Sequence, residues 1–220
     1  MTETNHKGMN EFLNQSLLMS KQPSPKSGKQ RIPMEYVHHR EADAFYELPP
    51  QEVGNLDPVV KTYLQHRSRG PPRVRITRNL QTGEVVAKVI KIRVGDKNVH
   101  CPNWAFDWRV SISVEFPWFG DIDALEEYAA MKGRREPSRN KDRLSYQHQF
   151  CRIDLTQVKI GVQPGGHYDR ISHELEIEMD VQTARVEGQK ALRRDPNHYS
   201  EYIKVFIDNV RLLAKNMHGE

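Results

Sequence analysis

The sequence predicts an α+β protein: an antiparallel sheet bent into a closed or nearly closed tunnel, with helices packed on its outside. Three observations carry this reading. From about Pro72 the chain falls into runs in which apolar and charged residues alternate with a period of two. The charges are sorted by run, acids on one and bases on the others. Separate stretches with a 3.6-residue apolar period are available to cover the apolar faces of those runs.

Taken in order, residues 10–20 (NEFLNQSLLMS) space Phe12, Leu13 and Leu17 as a helix does. The adjoining KQPSPKSGKQR, residues 21–31, is rich in Pro, Ser, Gly and Lys and reads as a flexible solvated loop. A short helix is expected over Asp57–Leu64, with Asp57 as N-cap and Pro58 in the first turn. RVRIT (73–77) and GEVVAKVIKIRV (83–94) flank a polar NLQT turn and form a hairpin. Further strands are expected at DWRVSISVEF (107–116), DRLSYQH (142–148), FCRIDLTQVKI (150–160) and HELEIEMDV (173–181). DIDALEEYAAMKGRR has helical character between the first two of these. A terminal helix, SEYIKVFIDNVRLLAK, carries Ile203, Phe206, Ile207, Val210 and Leu213 as a core stripe, with Ser200 as its N-cap.

The 220 residues suffice for one sizeable domain, taken as residues 1–220. Lys and Arg number 33 against 29 Asp and Glu, a net +4 that is compatible with a polyanionic partner without requiring one. The first residues, MTETNHKGMNEF, lack the basic and apolar regions of a signal peptide. No apolar run approaches the roughly 20 residues of a bilayer span, so no membrane association is expected. Two cysteines, Cys101 and Cys151, make no disulfide framework, and an intracellular, reduced protein is the simplest reading.

Side chains two apart on a strand share a face, roughly 7 Å from one another. In HELEIEMD this gathers Glu174, Glu176, Glu178 and Asp180 on one side and Leu175, Ile177 and Met179 on the other. Such a row of carboxylates repels itself unless a metal ion or basic side chains offset it. The other runs supply the bases. Arg109, Ser111, Ser113 and Glu115 share a parity, as do Arg139, Lys141 and Arg143, then Arg152, Asp154 and Thr156. Arg73 and Arg75 do likewise, and Lys91 and Arg93. Alternation alone also fits an open sheet that is apolar inside and charged outside. The segregation of signs and the supply of covering helices favour charged faces turned inward around a polar lumen. Such a lumen suits a phosphate-rich substrate shared between basic side chains and a hard divalent metal.

Other signals carry less. In VHCPNWAFDWR seven residues, none of them glycine, separate Cys101 from Arg109, and Pro102 removes an N–H that a phosphate cradle needs. His100 and Cys101 lack the second pair required for zinc. Gly165-Gly166 reads as a turn, and Trp104, Trp108 and Trp118 as packing residues.

The segments RVRIT, AKVIKIRV, DWRVSISVE, RNKDRLSY, FCRIDLTQV and HELEIEMD resemble, in this order, those of the fungal-type RNA 5′-triphosphatases. These are the beta subunits of mRNA-capping enzyme, within the triphosphate tunnel metalloenzymes. MNEFLNQS, PMEYVHHREADAFYELP and FGDIDALEEY are similar as well, so the resemblance runs over nearly the whole chain. It implies an eight-stranded antiparallel tunnel and metal-dependent removal of the γ-phosphate from triphosphate-ended RNA. By resemblance Arg75, Lys141 and Arg143 clamp the γ-phosphate and Glu178, with Glu176, holds Mg²⁺ or Mn²⁺. Glu115, Glu174 and Glu176 organise water, and Lys91, Arg139, Arg152 and Asp154 complete the polar lining. A nuclear location, a homodimer and an mRNA guanylyltransferase partner (the alpha subunit) are implied too.

The family pattern has a further glutamate strand, an E-x-E motif, ahead of the matching segments. The stretch MTETNHKGMNEF resembles family residues that lie downstream of that strand. READAFYE carries Glu41 and Asp43 two apart but is not read as its replacement. The expectation is therefore a tunnel short of one wall and two metal ligands, with little or no triphosphatase activity in these residues alone. A shortened piece, a reading frame begun at an internal methionine, and a relative that has lost activity all account for it. Two alternatives keep the shell and change the function: a non-catalytic binding or scaffold protein, and an inorganic triphosphatase of the same superfamily.

Overall fold

The computed structural model describes residues 1–67, 70–104, 106–133, 137–162 and 168–217. Among the described residues seven strands form a single sheet: β1 (Glu35–Glu47), β2 (Arg73–Asn79), β3 (Val85–Val99), β4 (Trp108–Pro117), β5 (Arg139–His148), β6 (Cys151–Val162) and β7 (Tyr168–Met179). Their order is β4-β3-β2-β1-β5-β6-β7, every neighbouring pair antiparallel. The sheet curls into a half-barrel, and among the described residues β4 and β7 are its two edges.

The helices of the described residues are α1 (Glu3–Ser20), α2 (Pro50–Asn55), α3 (Pro58–Arg67), α4 (Ile122–Met131), α5 (Val181–Arg193) and α6 (Tyr199–Asn216). The alternation read from the sequence is what sorts the two faces. Apolar side chains of β1–β4, among them Tyr46, Val74, Ile76, Ile90 and Ile92, form one core with Val60, Leu64, Trp118 and Leu125 of the α3 and α4 regions. Tyr146 and Leu155 of β5 and β6 form a second with Met9 and Leu13 of α1 and Leu213 of α6. Both cores lie on the convex side, which leaves the charged positions on the concave side.

Local signals set the helix ends. The Thr2 hydroxyl accepts from the Asn5 N–H at 3.2 Å and the Asn5 side chain accepts from the Thr2 N–H, a capping box that starts α1. The Asp57 carboxylate accepts from the Val59 N–H at 2.7 Å, as its N-cap reading requires. The β2–β3 hairpin turns where Asn79 accepts from the Gln81 and Thr82 N–H groups and Gly83 takes φ 74°.

Several elements depart from expectation. β1, at the centre of the sheet, lies in a segment the alternation left unassigned, and α2 and α5 are likewise additional. β3 runs on to Val99 because a bulge between Arg93 and Gly95 resets its parity. β5 and β7 begin earlier than expected, at Arg139 and Tyr168. β7 ends at Met179, so Asp180 is no member of the carboxylate row. It caps α5, accepting from the Thr183 N–H at 2.7 Å. The N-cap of α6 is His198 and not Ser200. Of the α6 stripe, Leu213 is fully buried while Ile203, Phe206, Ile207 and Val210 are half-buried. The Gly165-Gly166 turn lies outside the described residues.

Candidate phosphate site on the concave face

Strand register decides which of the expected residues meet. Directly opposed residues of an antiparallel pair point to the same face. Lys91 opposes Glu115, Arg143 opposes Thr156, Asp154 opposes Glu176, and Arg152 opposes Glu178. Every sequence-derived candidate therefore lies on the concave side, where a flat reading of each strand in isolation shows only its parity.

The centre of this face is polar and buried. Asp43, Thr156 and Asp154 retain at most 2% of their surface, and Thr77 and Ser145 are buried beside them. Burying polar groups is costly unless each finds a partner, and here most do. The Asp43 carboxylate accepts from the Thr77 hydroxyl at 2.7 Å and is ion-paired with Lys141. Asp154 accepts from the Ser145 hydroxyl at 2.7 Å and lies 3.2 Å from Arg152 and 3.9 Å from Arg143. Arg143 is also 4.0 Å from Glu41. Glu115 sits 2.9 Å from Lys91 and 3.5 Å from Arg75.

The electrostatics follow from that packing. Burial pushes the Asp43 carboxyl up, but the charge and hydrogen bond of Lys141, the Thr77 hydroxyl and Arg75 outweigh it and hold the group below its ordinary value. Burial acts on Glu115 in the same direction and is outweighed by Lys91, then by Arg75 and Lys141. Arg75 and Lys141 thus act on the same two carboxylates, from strands β2 and β5. The buried Nε of Arg75, the buried Nε of Arg143 and the Thr156 hydroxyl have no hydrogen-bond partner among the described residues. Cations with donors to spare, set in a concave wall, are what a multiply charged oxyanion requires.

The glutamate row is differently placed. Glu174, Glu176 and Glu178 lie on the concave face of edge strand β7 and are exposed. Glu178 is ion-paired with Arg152. Among the described residues no three His, Cys, Asp or Glu side chains come together closely enough to hold a metal ion. Glu176 and Glu178 still suit Mg²⁺ or Mn²⁺ in part, since Mg²⁺ is commonly held by one or two carboxylates with waters and substrate phosphates completing its shell. Arg139 stacks on Phe45, its guanidinium 5.0 Å from the ring centre.

Sequence reasoning noted Glu41 and Asp43 two apart but gave them no place in the site, although Asp43 is the most buried carboxylate here. The signal was present in AFYE and EADA, where Ala42, Ala44 and Tyr46 alternate with Glu41, Asp43 and Phe45. Away from this face, Asp107 accepts from the Cys101 N–H at 2.9 Å and contacts His100, while the Trp108 indole N–H points at the Cys101 sulfur. These contacts brace the β3–β4 loop.

Comparison with known proteins agrees with this arrangement. The family model described as "mRNA capping enzyme, beta chain" matches residues 1–219. The mRNA-capping enzyme subunit beta of Schizosaccharomyces pombe is 34% identical over 219 residues, which are 98% of this chain and 60% of that protein. The Cryptococcus neoformans subunit of the same name is 30% identical, over 96% of this chain and 44% of its own length. The solved structure of the S. pombe Pct1 RNA triphosphatase in complex with the Spt5 CTD superposes with a TM-score of 0.76 at 31% identity, over all of this chain and 70% of that one. The chain thus spans about 60% and 44% of the two curated relatives. With the family model covering almost every residue and the whole chain superposing on the S. pombe structure, the chain belongs to the mRNA-capping enzyme beta-chain family.

Proposed function

We propose that the concave face takes the 5′-triphosphate end of RNA, and that these residues form the greater part of an RNA 5′-triphosphatase domain spanning 1–220. The observation that carries this is the convergence of Arg75, Lys141 and Arg143 around the buried carboxylates Asp43 and Asp154, with two guanidinium Nε donors left over. In the whole protein the reaction is hydrolysis of the γ-phosphate, leaving a diphosphate end. Arg75, Lys141 and Arg143 bind the γ-phosphate oxygens and offset the charge that develops on them. Asp43 holds Lys141 in place, and Lys91 and Arg152 keep Glu115 and Asp154 oriented. Glu115 and Glu174 orient the attacking water from opposite edges of the sheet, and Arg139 lines the approach. Glu176 and Glu178 would hold Mg²⁺ or Mn²⁺, which would supply neutralisation of phosphate charge when bound. For Glu178 this requires release from Arg152, which the incoming phosphate itself favours by offering the guanidinium a stronger anion.

The family setting supports a guanylyltransferase partner, a homodimer and a nuclear site of action. The relative solved with the Spt5 CTD supports an association with a peptide of that kind. A second reading, a shell that binds triphosphate ends without turning them over, is favoured by the engagement of Glu178 with Arg152.

Calorimetric titration of the 220-residue chain with inorganic tripolyphosphate and Mg²⁺ tests the first step. Saturable binding is expected, weakened at least 10-fold in Arg143→Ala. Absence of binding, or an unchanged affinity in the variant, defeats the assignment. Release of phosphate from triphosphate-ended RNA by the same chain then separates turnover from binding alone.

A further inference from the structure

Resting on that reading, we propose that the concave face has a polarity: RNA enters from one end only, and Arg93, Arg109 and Arg170 carry the backbone phosphates next to the triphosphate. The residues of the phosphate site define a level across the sheet, through Glu115, Lys91, Arg75, Asp43, Lys141, Arg143 and Glu176. Beyond this level in one direction, every strand but β1 and β6 continues on its concave parity to an arginine. Arg93 lies two residues past Lys91 and opposes Ser113. Arg109 opposes Asn98 and lies six residues before Glu115 on the same parity, about 20 Å further out. Arg170 lies six residues before Glu176 and opposes Ile160, itself opposite Arg139.

These three arginines are exposed, and none has a carboxylate within ion-pair distance among the described residues. The acidic side chains nearby are Glu47, held by Lys132; Asp96, which opposes Ser111; Asp107, held by His100; and Asp169, which adjoins Arg170 on the opposite parity of β7. In the other direction the charges are mixed and engaged, with Glu41 at Arg143 and Glu178 at the Arg152 guanidinium in ion-pair contact. A polyanion drawn to the site therefore meets a positive field on one side and a neutralised one on the other. An inorganic triphosphate fills only the central level, whereas an RNA chain reaches the outer arginines as well. The outer arginines thus select polynucleotide ends over free nucleotides, through contacts that carry no base sequence.

The test compares the 220-residue chain with R93A/R109A/R170A and with R93K/R109K/R170K. Fluorescence anisotropy with a 5′-triphosphate RNA 20-mer gives affinity and salt dependence, and unlabelled tripolyphosphate serves as competitor. The alanine variant is expected to bind the RNA at least 10-fold more weakly. Its log–log salt slope should fall by roughly 2, at about 0.7 per lost phosphate contact. The lysine variant should keep most of the affinity, and the direct affinity of tripolyphosphate should be unchanged in both. RNA binding within twofold of the parent with the same salt slope overturns the proposal, as does an equal loss for tripolyphosphate. If tripolyphosphate fails to bind the parent while the arginines still govern RNA binding, the entrance stands and the triphosphate assignment falls.

Discussion

Two ion pairs on the same concave face have opposite characters. Lys141–Asp43, at the centre of the sheet, leaves 14% and 2% of its side chains exposed. Arg152–Glu178, across the last two strands, leaves 46% and 51%. The central pair is enclosed by Thr77, Arg75 and the strands on either side, so neither partner can leave without stranding the other. The outer pair is in solvent, where an ion pair is worth little and exchanges readily. The difference separates a fixed seat from an adjustable carboxylate: the first positions cations for phosphate, the second can trade an arginine for another cation.

The sharpest way to break this contrast is Asp43→Ala. Removing a buried partner leaves Lys141 uncompensated beside Arg75, and a loss of about 3 kcal/mol in unfolding free energy at pH 7 is expected by urea denaturation. A loss below about 1 kcal/mol would mean the centre is as loosely held as the edge. Acid titration of stability gives an effect of intermediate size. Asp43 and Glu115 have folded-state values below their ordinary 3.8 and 4.5, so the stability they confer is complete above those values and disappears as pH falls through the lower folded-state ones. Urea midpoints measured from pH 7 to pH 3 should drop below about pH 4.5, less steeply in the Asp43→Ala protein; parallel curves would remove Asp43 from the account. The smallest effect is expected for Glu178→Ala: stability within about 0.5 kcal/mol of the parent, as for an exposed pair. Tripolyphosphate affinity without Mg²⁺ should hold or rise as Arg152 is released, while the gain on adding Mg²⁺ is lost. Calorimetry with and without the metal reads both.

Much of this architecture is legible in the sequence. RVRIT, DWRVSISVEF and FCRIDLTQVKI announce their strands because β-branched residues alternate with charges, and their parity already sorts Arg75, Glu115 and Asp154 to one face. β1 is not legible in the same way. EYVHHREADAFYE puts histidine, arginine and glutamate at consecutive positions, and its outward positions Ala42 and Ala44 are small. Its strand state comes from being hydrogen-bonded on both sides by β2 and β5, a tertiary cause that local pattern does not encode. With its strand unassigned, Asp43 is visible only as a carboxylate two residues from Glu41, with no place in the site. α5, VQTARVEGQKALR, combines a central glycine with few large apolar residues, and it is held by the Asp180 cap and its packing on α6. The meeting of Arg75 with Lys141 depends on register and curl across three strands, whereas parity speaks only of neighbours two apart. The resemblance of the segments to a known family, not their spacing, supplied that convergence.

The two convex cores have a consequence for motion. One backs β1–β4 and the other backs β5–β7, so the β1–β5 ladder is the seam where two separately braced leaves of the sheet are joined. Arg75 stands on one leaf and Lys141 and Arg143 on the other, with Asp43 reaching across as the stitch. An anion gripped from both leaves draws them together like the jaws of a caliper. Its binding free energy is thereby converted into resistance of the whole sheet to opening along that line.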